Sequence, residues 1–170
     1  MIVEYPNFLT EGECSLLIGL GESGDLNFGR TGTGTLGYRK AKVTWFDVNN
    51  EFANKIKMRI AELSGIPIEN QEKFHFVKYG LSGEYKVHHD GHNRIKTALI
   101  YLNDGYEGGE TYFNKIDKKI KPETGKLIIW NNYNEDMTKI VESEHSGLPI
   151  VFGTKYIAVV WIRNEKYLDL

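Results

Sequence analysis

Hydrophobic and polar positions divide the chain into two patterns. Up to about residue 72, apolar residues recur at helical spacing. Thr10 and Glu13 stand as a capping box, with Leu9 and Cys14 placed around it as a hydrophobic staple. Leu16, Leu17 and Leu20 then supply an apolar face, which Gly21 and Gly24 end. A second helix is predicted from about Glu51 to Leu63. Phe52, Ile56, Ile60 and Leu63 keep helical spacing there, and Gly65 sits where a stop belongs. From Lys73 onward the pattern changes to short strands: FHFVKY, EYKVHHD, IKTALIYL, ETYF, KLIIW, TKIVE and KYIAVVWIR. Turn-rich segments such as DGHN, NDGYEGG and KPETG separate them, which predicts a sandwich, barrel or jelly roll. The predicted fold is therefore mainly β (α+β), with two helices packed outside a β-core and the chemistry in the mouth of that core.

Between the helices, Gly29 to Lys42 carries four glycines together with Arg30, Arg39 and Lys40. This locally basic stretch is either a solvated connection or a lid over a site. It is not a phosphate loop, because the Walker lysine and the strand-then-helix context are missing.

Composition narrows the class. A chain of 170 residues has the length of one domain, and 41% hydrophobic residues suffice for a core. The expected division is helical support over about 1–72 and a catalytic core over about 73–165. A net charge of −2 argues against binding by neutralisation of many phosphates and against a polybasic membrane binder. Cys14 is the one cysteine, so neither a disulfide framework nor a multi-Cys zinc site is available. The start, MIVEYPNFLT, lacks the basic region of a signal peptide, and no apolar run is long enough to span a bilayer. A cytoplasmic protein with no nucleic-acid or membrane partner is expected.

Candidate chemistry centres on Tyr85-Lys-Val-His-His-Asp90. Side chains alternate along a strand, so His88 and Asp90 share a face and can chelate one ion. HxD alone also fits an ordinary hydrogen-bonded pair. A third ligand must come from elsewhere, and His145, opening HSGLP, is the distant histidine placed to supply it. Two imidazoles and one carboxylate with open positions form the facial triad of non-haem Fe(II) oxygenases. His89 points away from His88, His92 lies in a turn, and His75 reads as a strand residue with a satisfied hydrogen bond.

On the last strand Lys155, Ile157, Val159, Trp161 and Arg163 share a face. A lysine opening such an apolar face needs an anionic partner. Thr97, Leu99 and Tyr101 share a face of an earlier strand and add two hydroxyls. A metal at one end and Lys155 with hydroxyls at the other would suit a short dicarboxylate whose keto-acid end chelates iron.

These residues carry a resemblance. YG…GxYxxHxD, TxxxYLND…GGET, the KPxxG turn and HxGxPxxxGxKYxxxxWxR occur in order between Phe76 and Arg163. They resemble the prolyl 4-hydroxylase branch of the Fe(II)/2-oxoglutarate-dependent dioxygenases, and PNFLTEGEC extends the likeness to the N-terminal helix entry. The resemblance implies a double-stranded β-helix (jelly roll) core with flanking N-terminal helices. It implies that His88, Asp90 and His145 hold the iron. Lys155 would pair with the distal carboxylate of 2-oxoglutarate, with Thr111, Tyr79, Tyr101 and Leu99 around it. Tyr85, Arg94 and Trp161 would lie near the substrate.

The implied cofactors are Fe(II), 2-oxoglutarate and O₂, with ascorbate as reductant. The implied reaction couples decarboxylation of 2-oxoglutarate to succinate with hydroxylation of a proline-containing peptide or protein. Hydroxylation of another side chain or a free amino acid is the alternative. Nucleic-acid demethylation, or a non-catalytic metal-binding jelly roll, fits less well. Two departures stand out: His89 where relatives often carry a bulky apolar residue, and Arg163 where some carry histidine.

Overall fold

A computed structural model describes residues 1–29, 37–46 and 49–168. The strands in chain order are β1 (Ile2–Tyr5), β2 (Asn27–Phe28), β3 (Lys42–Trp45), β4 (His75–Tyr79), β5 (Tyr85–His88), β6 (Arg94–Tyr101) and β7 (Glu107–Gly108). They continue as β8 (Thr111–Phe113), β9 (Lys118–Ile120), β10 (Leu127–Asn131), β11 (His145–Gly147), β12 (Ile150–Phe152) and β13 (Lys155–Arg163). Helices α1 (Glu11–Ser23) and α2 (Glu51–Ser64) lie among the first of them. A large sheet in the order β1-β10-β6-β13-β4-β3-β2 faces a small one in the order β5-β11-β8-β9, and the fold is a jelly roll.

Both helix starts obey their caps. Thr10 accepts from the Glu13 N–H while the Glu13 carboxylate accepts from the Thr10 N–H, at 3.1 and 2.9 Å. Asn50 caps α2 by accepting from the Ala53 N–H, and Gly65 ends it in the left-handed conformation. Leu9 and Cys14 are both buried in the core as the staple requires. Burial also pushes the Cys14 thiol up to about 11, so it is a packing group. Gly21 is needed for close packing, because a Cβ there would come within 2.5 Å of the Phe76 ring.

The helical stripes are rotated from their predicted positions. Leu16 and Leu63 are exposed, and Phe52 is half-buried. The face of α2 that docks is instead Ala53, Ile56, Lys57 and Ile60, with the Lys57 ammonium reaching the Gln71 carbonyl. An aliphatic lysine stem can cover apolar surface while its head finds oxygen, which is why a hydrophobicity count overlooks it.

The region before residue 72 is also less helical than its periodicity predicts. It contributes β1, β2 and β3 to the large sheet. β1 pairs with β10 along Ile2↔Trp130 to Tyr5↔Leu127, a partner more than a hundred residues away. TKIVE is not a strand: Val141–Ser143 is a 3₁₀ turn, and Lys139 makes only an isolated bridge to Tyr133. Val141 is exposed and Ile140 only half-buried, so their β-propensity finds little to pack on.

One cluster, including Leu17, Ile56, Ile60, Phe76, Ile100 and Val160, fills the space between helices and large sheet. A second, including Tyr79, Leu99, Tyr101, Trp130, Ile157 and Trp161, lies inside the roll. Among the described residues, no helix is long and apolar enough to cross a membrane.

Candidate metal centre and cosubstrate cavity

Strand pairing brings the candidate ligands together. In the β5–β11 ladder His145 stands directly opposite His88, and their ring centroids are 4.3 Å apart. β5 ends at His88, so Asp90 reaches the site from the chain beyond the strand, not from strand alternation. One ligand atom from each of His88, Asp90 and His145 lies within 4.8 Å of the others. His88 Nε2 is 3.6 Å from Asp90 Oδ1, and His145 Nε2 is 3.8 Å from Asp90 Oδ2.

The other ring nitrogen is already used in both histidines. His88 Nδ1 lies 2.8 Å from the Lys86 carbonyl, and His145 Nδ1 lies 2.9 Å from the Ser143 carbonyl. A carbonyl can only accept, so Nδ1 carries the proton and Nε2 keeps its lone pair for an ion. Burial drives the His88 pKa far below its ordinary value, favouring that neutral ring. Burial works to raise the Asp90 pKa, while a proton on His145 or His88 and the hydrogen bond from Thr97 work to lower it, and the net shift is downward. Two neutral imidazoles and a buried carboxylate form a donor set that fits a divalent cation.

The cavity holding these groups is also lined by Tyr79, Tyr85, Leu99, Thr111, Lys155 and Trp161. Lys155 pairs across the β13–β4 ladder with Tyr79, and Ile157 pairs with Tyr101 on β6. The Lys155 ammonium is buried and donates to the Gly109 carbonyl at 2.6 Å. It lies 5.1 and 5.9 Å from the Tyr79 and Tyr101 ring centroids. Among the described residues it forms no ion pair, and burial brings its pKa down to about 7. The carbonyl that meets it depends on Gly109, whose φ is +69° and where a Cβ would sit 2.3 Å from Ile150. Tyr101 donates to Thr111 Oγ1 at 2.6 Å, so two of the predicted hydroxyls act as a unit. A buried cation with no ion-pair partner among the described residues, felt only at a distance by Glu110, can receive an anion.

Tyr85 stacks on His88 with centroids 3.6 Å apart and 20° between planes. Two of the predicted residues, Tyr101 and Arg94, do not line the cavity. Tyr101 reaches it through Thr111, whereas the Arg94 guanidinium lies 3.9 Å over the Trp161 ring and grips Glu72 through Nε and Nη2 at 2.8 and 2.9 Å. Arg163 bonds the same carboxylate at 2.8 Å, so it braces this wall and is turned away from the Lys155 end. His75 corrects another expectation. Neither ring nitrogen finds a hydrogen-bond partner among the described residues. The ring is neutral, pushed well below its ordinary pKa by burial; it stacks on Trp45 with centroids 4.0 Å apart and lies tilted against Trp161 at 5.1 Å. Aromatic stacking thus replaces the expected hydrogen bond.

Arg39 lines the cavity although its sequence context marked it only as loop charge. Its guanidinium lies 4.8 Å over the Tyr85 ring, and its buried Nε has no hydrogen-bond partner among the described residues. The Tyr38–Lys40 stretch runs along β5, with Lys40 N–H donating to Glu84 and Lys86 N–H to Tyr38. The Arg30 part of the predicted lid lies outside the described residues. Glu72, Trp130 and Asn132 were likewise not singled out. A buried acid seven residues after a helix-ending glycine, beside two later arginines, leaves no local signal.

The 2OG-Fe(II) oxygenase superfamily model matches residues 74–163, more than half of the sequence. The chain belongs to the 2OG-Fe(II) oxygenase superfamily. A protein of Acanthamoeba polyphaga mimivirus, provisionally named a prolyl 4-hydroxylase, is 31% identical over 145 residues, covering 76% of this chain and 60% of its own length. The human prolyl 4-hydroxylase subunit alpha-1 is 27% identical over 146 residues, 77% of this chain and 27% of that subunit. The chain therefore spans less than two thirds of these relatives. A solved viral collagen prolyl hydroxylase from Paramecium Bursaria Chlorella virus-1, in its 2OG complex, superposes with a TM-score of 0.80 at 29% identity and covers 95% of each chain.

Proposed function

We propose that this oxygenase is a prolyl 4-hydroxylase acting on peptidyl proline, with Fe(II), 2-oxoglutarate and O₂ as its reactants and ascorbate as a reductant. The carrying observation is a three-donor metal site and an unpaired buried ammonium within one cavity. In this reading His88, Asp90 and His145 hold the metal. Iron bound there would activate O₂, the oxidant whose two oxygen atoms end in succinate and in the hydroxylated C–H bond.

The chain's own residues do the rest. Lys155 pairs with the far carboxylate of 2-oxoglutarate, whose charge restores the ammonium that burial disfavours. Tyr101 and Thr111 offer hydroxyls beside it, Tyr79 closes the wall, and Leu99 keeps water out. Tyr85 holds the His88 ring by stacking, and Trp161, held flat by Arg94, offers an aromatic face to a proline ring. Relatives named for prolyl hydroxylation support the substrate class. The net charge of −2 favours a peptide over a polyanion. The one-domain reading of residues 1–170 goes with this proposal.

The test is a mass-spectrometric screen of proline-containing peptides for the gain of one oxygen, with succinate followed in the same reaction. Hydroxyproline formed with equal succinate is the expected result. Oxygen on another residue would reject the prolyl reading, and metal binding with no 2-oxoglutarate consumed would reject the enzyme.

A further inference from the structure

Behind Asp90 runs a chain of buried polar groups whose direction is set at its far end. The Trp130 indole N–H can only donate, and it donates to Asn132 Oδ1 at 2.9 Å. That fixes the amide, so Asn132 Nδ2 faces Thr97 Oγ1 at 2.9 Å and the Arg94 carbonyl at 3.0 Å. Thr97 receives the amide proton, which leaves its own hydroxyl proton for Asp90 Oδ2, 2.7 Å away. All four side chains are buried, and Asn132 is fully so.

Residue 132 also holds the chain between two ligands. Its backbone carbonyl lies 2.9 Å from His89 Nε2, which pins the residue between His88 and Asp90. Its neighbour Trp130 packs edge-on to His145 at 4.8 Å. His89, a departure from the apolar residue often found there, thus has a partner that an apolar side chain would lack.

We propose that Asn132 is a positioning residue for the metal centre: the one-way relay Trp130–Asn132–Thr97 ties one lone pair of Asp90 Oδ2 to the Thr97 hydroxyl, fixes the carboxylate's rotation and so favours Oδ1 as the oxygen that binds the ion. This rests on reading His88, Asp90 and His145 as the ligand set. Single-oxygen binding keeps a further coordination position open for cosubstrate, which a carboxylate free to rotate would tend to fill.

The relay can be cut without changing shape by Thr97→Val. Equilibrium dialysis with Co(II) alone should show affinity weakened roughly 10- to 100-fold, and the visible absorption of the Co(II) protein should change as both oxygens bind. Thr97→Ser should restore both. If Thr97→Val folds and binds Co(II) with wild-type affinity and spectrum, the relay is refuted. Stability lost without any change in affinity or spectrum refutes it too. Should Thr97→Val not fold, Asn132→Asp provides the second probe, because a carboxylate there accepts the Thr97 hydroxyl proton and turns it away from Asp90: weakened Co(II) binding supports the role of Asn132, and unchanged binding overturns it. His145→Ala in parallel separates the two layers, because wild-type Co(II) affinity in that variant would sink the ligand set itself.

Discussion

The two faces of the large sheet are equally buried and chemically opposite. Along β13, Ala158, Val160 and Ile162 turn toward the helices, while Lys155, Ile157, Val159 and Trp161 turn into the roll. β6 repeats the division, with Ala98 and Ile100 outward to the helices and Thr97, Leu99 and Tyr101 inward. The helix side is closed hydrocarbon whose worth lies in water excluded. The inner side gives up part of that gain to bury a carboxylate, an ammonium and several hydroxyls. Folding free energy and chemistry are thus placed on alternate residues of the same strands, which a period of two makes possible.

That separation can be broken from either side. The largest expected effect is His145→Ala, which should abolish both metal binding and 2-oxoglutarate turnover, followed by dialysis and succinate release; retained turnover would remove this residue from the ligand set. Next is Lys155→Ala. Stripping one partner from a buried charge pair costs about 2–5 kcal/mol, so the 2-oxoglutarate concentration needed should rise at least about 30-fold, while thermal stability does not fall. An unchanged requirement would refute the anion-receptor reading.

The reverse pattern belongs to the helix face. Ile100→Ala, at a fully buried position, should lower stability by about 2–5 kcal/mol in denaturant titration. Its turnover per folded molecule should stay near that of the unaltered chain. Loss of turnover in the still-folded variant would show that the two faces are coupled.

The smallest effect is a pH dependence that separates the ends of the cavity. Lys155 moves from an ordinary 10.5 down to about 7 on folding. Between those values the unfolded chain holds the extra proton, so the ligand-free protein should gain stability as pH rises through about 7 and upward. 2-Oxoglutarate needs the ammonium, so its affinity should fall as pH climbs above about 7, by at most about tenfold per unit. Calorimetry on the Mn(II)-loaded protein measures this. Lys155→Arg should flatten the slope, and a flat slope in the unaltered chain would show that Lys155 is already protonated there.

Legibility followed the range of the interaction. The capping box at Thr10, the stop at Gly65 and most strands after residue 73 depend on neighbours a few positions away, and they stand as read. β1 was missed because its hydrogen-bond partner is β10. TKIVE was misread because β-propensity carries no information about whether a sheet is there to receive it. In the site, His88, Asp90, His145 and Lys155 were visible as unusual residue types in a patterned context. Arg94 was visible as well, but its hold on Glu72 and Trp161 was not. Arg39 and Asn132 look like ordinary loop and strand-end residues until the roll closes around them.

What the chain's order of residues determined alone was the set of chemical groups and their short spacings: two histidines and a lysine on strands, and an acid two residues past a strand end. Only the tertiary structure decided which atoms are free to act. The lone pairs on His88 and His145 Nε2 depend on backbone carbonyls that occupy Nδ1, and the facing of Asp90 depends on a relay that begins forty residues further along. Hydrogen-bond direction and desolvation are properties of surroundings, and those surroundings exist only once distant strands have paired.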